Sequence, residues 1–341
     1  MKNLITDVAG VLVGNAEDMR AATGATVAIF DGGAVASVVT LGGAPGSRMV
    51  TSLEPEMVRG SVDAVVLSGG SVYGLDAAGG ASAVLCAQGR GATFGGITVP
   101  VAVQAILFDL VNGGDKAWLR EPVKERPPYW DLGRDAALAA GDTFALGTAG
   151  AGVGATTAGL KGGLGSTSAK TSHGFTVGAL VAVNAVGAAT IGNGPHFWAG
   201  AYERGSEFGG KGWPAHLPDD ALSIRFKGQP VQATATTIAL VATDARLSKA
   251  ECKRLAIMAN DGLGKSLRPV HAPNDGDTVF AAATGKAAAL GDAADPKVMT
   301  ELGTVAADCL ARAVARGVYE ATTLPFANAL PDWKTRFGGC G

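Results

Sequence analysis

Histidine and cysteine are scarce, four of each in 341 residues, and the few present are badly placed for metal or redox chemistry. Cys86, Cys252, Cys309 and Cys340 form no C-x-x-C pair, and three of them fall in apolar stretches of helical pattern. They read as buried thiols of a reducing compartment, not as a disulfide framework or a zinc site. His173, His196, His216 and His271 show neither H-E-x-x-H nor H-x-H spacing. No G-x-S-x-G turn occurs, since Ser71 in Gly69-Gly70-Ser71-Val72-Tyr73-Gly74 lacks the second glycine at the right offset. An excess of either charge is also missing: 28 basic against 30 acidic residues, with no run of five like charges, argues against a nucleic-acid surface or a polybasic membrane anchor. Long clean apolar runs are missing too. Residues 95–113 are broken by Pro100, Gln104 and Asp109, and residues 174–193 by Asn184 and several glycines, so both read as buried elements rather than membrane spans. The opening residues, with Lys2 and then Asp7 inside a short apolar run, make no signal peptide. A soluble, cytoplasmic protein without metal or cofactor is expected.

What is abundant is glycine, 51 residues scattered through apolar sequence without a G-X-Y period. Such a chain is globular, with many places where backbone must turn sharply or approach another element. Residues 25–30 and 35–41 are β-rich and joined by Asp31-Gly32-Gly33, which signals a hairpin. Residues 62–67 read as a strand, followed by Ser68-Gly69-Gly70-Ser71 and a small-residue helix over 71–88. This Gly-rich turn lacks the G-K-[ST] ending of a phosphate loop, and close packing of helix on strand explains it better. A polar loop over 120–130 precedes a short helix over 131–141. Residues 147–168 are Gly, Ala, Thr and Ser around a single charge, Lys161, and 175–192 read as two strands.

Residues 203–235 are rich in Gly, Pro and charge and read as an exposed connector, ending in Ala233-Thr234-Ala235. Thr236-Thr237-Ile238-Ala239-Leu240-Val241-Ala242-Thr243 follows at once as a strong strand. Ser248 and Glu251 then make a capping box for a helix. A strand over 277–283 is entered through Asn274-Asp275-Gly276, and a last helix starts at Asp295-Pro296, a cap with Pro at the first helical position. Strands and helices are mixed without clean βαβ alternation, which predicts an α+β fold with helices covering stacked sheets. A Thr opening a strand directly after a connector also suits an N-terminal nucleophile. Attack of its hydroxyl on the carbonyl of Ala235 would release an α-amine, and an amine titrating near 7.7–8.0 serves as base at neutral pH. On residue pattern alone, however, a Thr-Thr pair at a strand start is ordinary β sequence.

The whole pattern resembles the L-aminopeptidase/D-esterase family of self-cleaving hydrolases, which includes β-aminopeptidases and nylon-oligomer endohydrolases. The residues that carry the likeness span nearly the full length. They are Ile5-Thr6-Asp7-Val8, Thr23-Gly24-Ala25-Thr26-Val27, Gly42-Gly43-Ala44-Pro45-Gly46 and Leu67-Ser68-Gly69-Gly70-Ser71, then Ala149-Gly150-Ala151-Gly152, Val183-Asn184-Ala185-Val186-Gly187, Ala242-Thr243-Asp244-Ala245 and Asp275-Gly276-Asp277-Thr278. The resemblance implies one domain of layered α/β/β/α type, shared with ornithine acetyltransferases, cut into fragments 1–235 and 236–341 and assembled as a homotetramer. It implies Thr236 as nucleophile, with Asp275 and Asp277 orienting it and holding its ammonium form. It also implicates Lys161 as a stabilising cation and Asn184 as an oxyanion donor. Asp-Gly-Asp at 275–277 is the pattern of the nylon-oligomer branch. Gly69, Gly70 and Ser71 are expected to shape the wall of the site. Phe108 stands where a Tyr is expected, and Ala235 where relatives have Asn or Gly. The expected function is hydrolysis of a small peptide or linear amide; the alternatives are an acyltransferase of the ornithine acetyltransferase type and a catalytically silent binding protein.

Overall fold

Strand parity sorts the apolar residues of this chain into three layers. The computed structural model describes residues 1–121, 124–228, 235–287, 293 and 295–338. The strands are β1 Val11–Asp18, β2 Thr23–Thr40, β3 Ser47–Arg48, β4 Val62–Ser68, β5 Ala92–Phe94, β6 Ile97–Val99, β7 Ala102–Ile106, β8 Gly163–Lys170, β9 Thr176–Asn184, β10 Thr236–Thr243 and β11 Thr278–Ala283. The helices are α1 Ala77–Ala87, α2 Tyr129–Leu138, α3 Lys249–Ala259, α4 Asp261–Gly264, α5 Pro296–Tyr319 and α6 Trp333–Phe337. The strands join in the order β3-β7-β4-β2-β11-β10-β9-β8, with β1 also paired to β2.

Residues 25–41 form no hairpin. Residues 25–40 lie in one 18-residue strand, β2, whose first part pairs with β1 and β4 and whose last part pairs with β11. The register shifts between Ile29 and Ala34, so Asp31-Gly32-Gly33 makes an irregularity in a through-going strand. That strand links two sheets stacked face to face. Ala28, Phe30, Ala36 and Val38 of β2 meet Leu180, Ala182, Ile238, Leu240 and Phe280 between the sheets. Odd-numbered Ala25, Val27 and Ile29 pack outward on α1 and α2, while Val39, Val181, Ala239, Val241 and Val279 pack outward on α3 and α5. Side chains alternate across a strand, so each sheet buries both faces. The result is the α/β/β/α sandwich that the resemblance implies.

Two parallel pairs lie inside this mixed order: β4 with β7 around α1, and β10 with β11 around α3 and α4. These are crossover units that the element order did not display. Glycine lets the layers close up. A Cβ on Gly80 of α1 would lie 1.9 Å from the Trp130 carbonyl oxygen of α2, and one on Gly133 of α2 as close to that of Ala77.

The helix starts follow their local signals. Ser248 accepts from the Glu251 N–H and Glu251 accepts from the Ser248 N–H, closing the capping box of α3. Asp295 caps α5, with Pro296 as its first residue. Other expectations need correction. β9 is the one strand between 175 and 192, and β8 begins inside the segment that carried no strand signal. The connector is not wholly exposed: Phe208 and Lys227 are buried, and Glu207 makes a two-pronged pair with Arg312 of α5 at 2.6 and 2.8 Å. Cys252 and Cys309 are buried but Cys86 is exposed. Cys340, Ala233 and Thr234 lie outside the described residues. Among the described residues no helix is long and apolar enough to cross a membrane.

Candidate active site

The ends of four strands meet at one edge of the sandwich. Thr236 opens β10, and its antiparallel partner is Asn184, the last residue of β9. Because β11 runs parallel to β10, the turn that enters β11, Asp275-Gly276-Asp277, lies against the start of β10. Ala235 extends the ladder by bridging to Asp275. Thr236 and Asn184 share the parity of Ile238 and Ala182, so both belong to the face between the sheets. Across that layer, β7 leads into Phe108, whose carbonyl accepts from Asn184 Nδ2 at 2.9 Å.

Thr236 is buried, and its hydroxyl lies against the carbonyl oxygen of Ala235, the residue before it. The same carbonyl accepts the N–H of Gly276 at 3.1 Å. Only glycine fits at 276: a Cβ there would come within 2.7 Å of Thr236 Oγ1. Asp277 is fully buried. Its Oδ1 accepts the Thr237 N–H at 2.8 Å, and its Oδ2 the His271 N–H at 3.1 Å, with His271 Nδ1 at 2.9 Å from that oxygen. Asp277 is thereby fixed in place.

Asp275 is not so satisfied. Its Oδ1 accepts the N–H of Gly276 at 3.1 Å, while its Oδ2 is buried without a partner. Burial pushes the Asp275 carboxyl up to about 8, the neighbouring Asp277 pushes it the same way, and the Gly276 N–H and Lys227 oppose. At neutral pH this carboxyl holds its proton.

Asn184 is held by its oxygen. Oδ1 accepts from the Thr156 N–H at 3.0 Å, Asn112 Nδ2 at 3.1 Å and Lys227 Nζ at 2.5 Å. This arrangement fixes the flip of the amide, leaving Nδ2 with one hydrogen on Phe108 and one to spare.

Lys161 is placed differently from the expectation. It is buried, and its Nζ donates to three backbone carbonyls, Gly152 at 2.9 Å and Ala155 and Gly162 at 2.8 Å each. All three ammonium hydrogens are spent on the loop that carries it, so it staples that loop. The cation that reaches Asn184 is Lys227, which residue pattern did not single out. Burial pulls both lysines down to about 7; the charge of Lys227 adds to the effect on Lys161, and Asp109 and Asp275 oppose the fall at Lys227.

The glycine turn after β4 serves a buried acid. Asp109 accepts the Gly70 N–H at 2.8 Å and the Thr23 hydroxyl at 2.6 Å. The side-chain space of Gly69 is taken by Asp109 and Thr23, and that of Gly70 by Tyr129. Ser71 donates its N–H to the Leu107 carbonyl at 3.0 Å. The structure thus brings Thr236, Ala235, Asn184, Asp275 and Asp277 together and touches Phe108 through its backbone. Gly69, Gly70, Ser71 and Lys161 are held in the supporting framework. Among the described residues no three His, Cys, Asp or Glu side chains converge in a metal-binding group.

The family model described as peptidase family S58 matches residues 3–330. The chain belongs to peptidase family S58. An uncharacterized aminopeptidase of Mycobacterium tuberculosis is 39% identical over 99% of this chain and 98% of its own length. A 6-aminohexanoate-oligomer endohydrolase of Kocuria is 28% identical over 82% of this chain and 74% of its own. Among solved structures, a β-aminopeptidase from Burkholderia superposes with a TM-score of 0.67 at 22% identity, covering 98% of this chain and 92% of that one. An L-aminopeptidase D-Ala-esterase/amidase from Ochrobactrum anthropi, described as a variant of the Ntn hydrolase fold, gives 0.64 at 20% identity over 97% and 90%. Family membership makes this chain a hydrolase of peptide or amide bonds.

Proposed function

We propose that the chain cuts itself between Ala235 and Thr236, and that the freed Thr236 then hydrolyses amides through an acyl-enzyme. The observation that carries this reading is the placement of the Thr236 hydroxyl against the Ala235 carbonyl, which already accepts the Gly276 N–H, where Ala235 bridges to Asp275. In the uncut chain no α-amine exists at Thr236, and Asp275 takes the proton-transfer role. As Thr236 Oγ bonds to the Ala235 carbon, the Gly276 N–H stabilises the developing oxyanion. Asp275 gives its proton to the departing nitrogen and takes the hydroxyl proton in exchange. The Ala235–Thr236 C–N bond breaks, leaving Ala235 as an ester on Oγ. Water hydrolyses this ester to the Ala235 carboxylate and a free Thr236.

The new amine makes an ammonium–carboxylate pair with Asp275, whose pKa falls once a cation stands beside it. In later cycles the neutral amine accepts the hydroxyl proton as Oγ attacks a substrate carbonyl, and returns a proton to the leaving amine. Asp277 holds the start of β10 in register through the Thr237 N–H. Asn184, its oxygen end held by Lys227, turns its spare N–H toward the reacting carbonyl. The substrates are small peptides or linear amides, the class for which the relatives are named. Processed protomers are proposed to assemble as a tetramer in the cytoplasm, and sedimentation and cell fractionation test those two points.

The decisive experiment is amino-terminal sequencing of active protein. It should yield a second polypeptide beginning TTIALV, and Thr236→Ala should give one intact chain without amidase activity. An active preparation with an intact chain would overturn the reading. A panel of amino-acid p-nitroanilides, β-peptides and 6-aminohexanoate oligomers then defines the substrate.

A further inference from the structure

Two arginines outside the catalytic cluster converge on an open cavity of about 400 Å3. Arg225 Nη2 donates to the carbonyl of Ala158 at 2.9 Å, and Arg336 Nη1 to the next carbonyl, Gly159, at 3.1 Å. Consecutive peptide units therefore hold both guanidiniums at one place. Gly159 makes the approach feasible: its φ is +89°, and a Cβ there would stand 2.9 Å from Arg225 Nη2 and 3.4 Å from Arg336 Nη1. Neither arginine has a carboxylate within ion-pair distance among the described residues. Asp220, which acts on Arg225 from farther off, has its Oδ2 committed to the N–H and Nδ2 of Asn193, both at 2.9 Å. Arg225 Nη1 is buried without a partner. A buried N–H in that condition carries its full desolvation cost. The cavity also has apolar walls, Ile224 and Phe226, both exposed.

We propose that this cavity binds a carboxylate borne on an apolar chain, with Arg225 and Arg336 gripping the charge and Ile224 and Phe226 covering the chain. A planar two-oxygen acceptor suits the parallel donors of a guanidinium fork, and the fold gives neither guanidinium a carboxylate of its own among the described residues. Burial, and after it the charge of Arg336, hold the Arg225 pKa below its ordinary value; an anion between the two relieves the repulsion. Arg225 lies two residues before Lys227, whose Nζ bonds Asn184 opposite Thr236, so an occupant borders the segment that steadies the catalytic amide. The assignment rests on the proposed amide hydrolysis for its choice of ligand, since each cleaved amide yields a carboxylate. That carboxylate has two sources: a free acid from substrate or product, or the Ala235 terminus created by self-scission.

Calorimetric titration of hexanoate into the uncut Thr236→Ala chain tests the site independently of any turnover. The uncut chain should bind hexanoate, and adding Arg225→Met with Arg336→Met should weaken binding by at least about tenfold. The double Lys replacement, which keeps charge and loses the fork, should fall between and guards against a simple folding defect. Binding by the processed wild-type chain assigns the site to free acids, whereas loss of binding on processing assigns it to the new terminus. Absence of hexanoate binding in the uncut chain, equal binding in the double Met variant, or tighter binding of inorganic phosphate overturns the proposal.

Discussion

Replacing Asp275 by Asn in the uncut Thr236→Ala background should stabilise the protein, and the gain should depend on pH in a defined way. Asp275 is 1% exposed, its Oδ2 has no partner, and its carboxyl is pushed from 3.8 up to about 8. Between those values the folded chain keeps a proton that the unfolded chain has released. Stability that is fully present below pH 4 is therefore lost as pH rises toward 8, at up to roughly 1.4 kcal/mol per pH unit, and is constant beyond. Asn is uncharged at every pH and mimics the protonated acid, so the variant escapes this loss. The stability gap between Asn and Asp chains should be small near pH 4, widen by about 3 kcal/mol from pH 5 to pH 7, and level off above 8. Lys161 and Lys227, both near 7, have the opposite sign: an unfolded lysine binds a proton that the folded one lacks between 7 and 10.5, so they add stability as pH rises there. They are present in both chains, so their shared contribution drops out of the gap. Urea unfolding of the two chains at pH 5, 6, 7 and 8 supplies the gap directly. A gap that stays flat across this range would mean that Asp275 is already ionised before scission, and the proton relay proposed for it would have to be abandoned.

Substitutions at three other positions separate the site from its framework. Gly276→Ala places a methyl 2.7 Å from Thr236 Oγ1, so self-scission followed on a gel should slow by about a hundredfold, and the crowding should cost about 1–3 kcal/mol by urea unfolding. Lys161→Met leaves three buried carbonyls without their donor; it should cost at least about 3 kcal/mol of stability by urea unfolding, with the pH profile of scission unchanged. Lys227→Met removes one of the three donors on Asn184 Oδ1 and should slow scission by about tenfold or more. Lys227→Arg should restore part of the rate and remove any inflection near pH 7 from the rate profile.

Much of the site was legible because its signals are local. Thr236 stands at the junction of a polar, Gly- and Pro-rich run and eight β-forming residues, and β10 starts there. The Asp-Gly-Asp turn and the caps at Ser248 and Asp295 are likewise short-range chemistry, and the structure keeps them where the residues put them. What residue pattern did not display depends on which backbone comes to lie against each residue, in two cases far along the chain. Asp31-Gly32-Gly33 has hairpin composition, but the two halves of β2 find better partners in β4 and β11 than in each other. Lys227 sits in a stretch whose composition says solvent. It is buried because its N–H pairs with the Val186 carbonyl and its side chain reaches Asn184, 43 residues earlier. Lys161 was noticed for being alone among small residues. Nothing in that spacing says that three carbonyls of its own loop will consume its hydrogens.

These long-range contacts bear on how a scissile bond comes to be held in a β ladder at all. Residue 235 continues β10 backward by one bridge to Asp275, and its carbonyl is held by the Gly276 N–H. On the proposed route the uncut chain is thus its own first substrate, bound as one more residue of strand, with the donor for its oxyanion already spent on the carbonyl under attack. An incoming amide has to reproduce that pose at the same N–H. Binding by backbone alone would leave side-chain choice to the surroundings: the Asn184 amide, the segment from Arg225 to Lys227 and the carbonyl side of Phe108. Selectivity among amides should therefore shift with substitutions on those neighbours, whereas substitutions at Gly276 and Asp275 should lower scission and turnover together, because both reactions use the same N–H donor and Asp275 serves both, as acid in scission and as partner of the Thr236 ammonium in turnover.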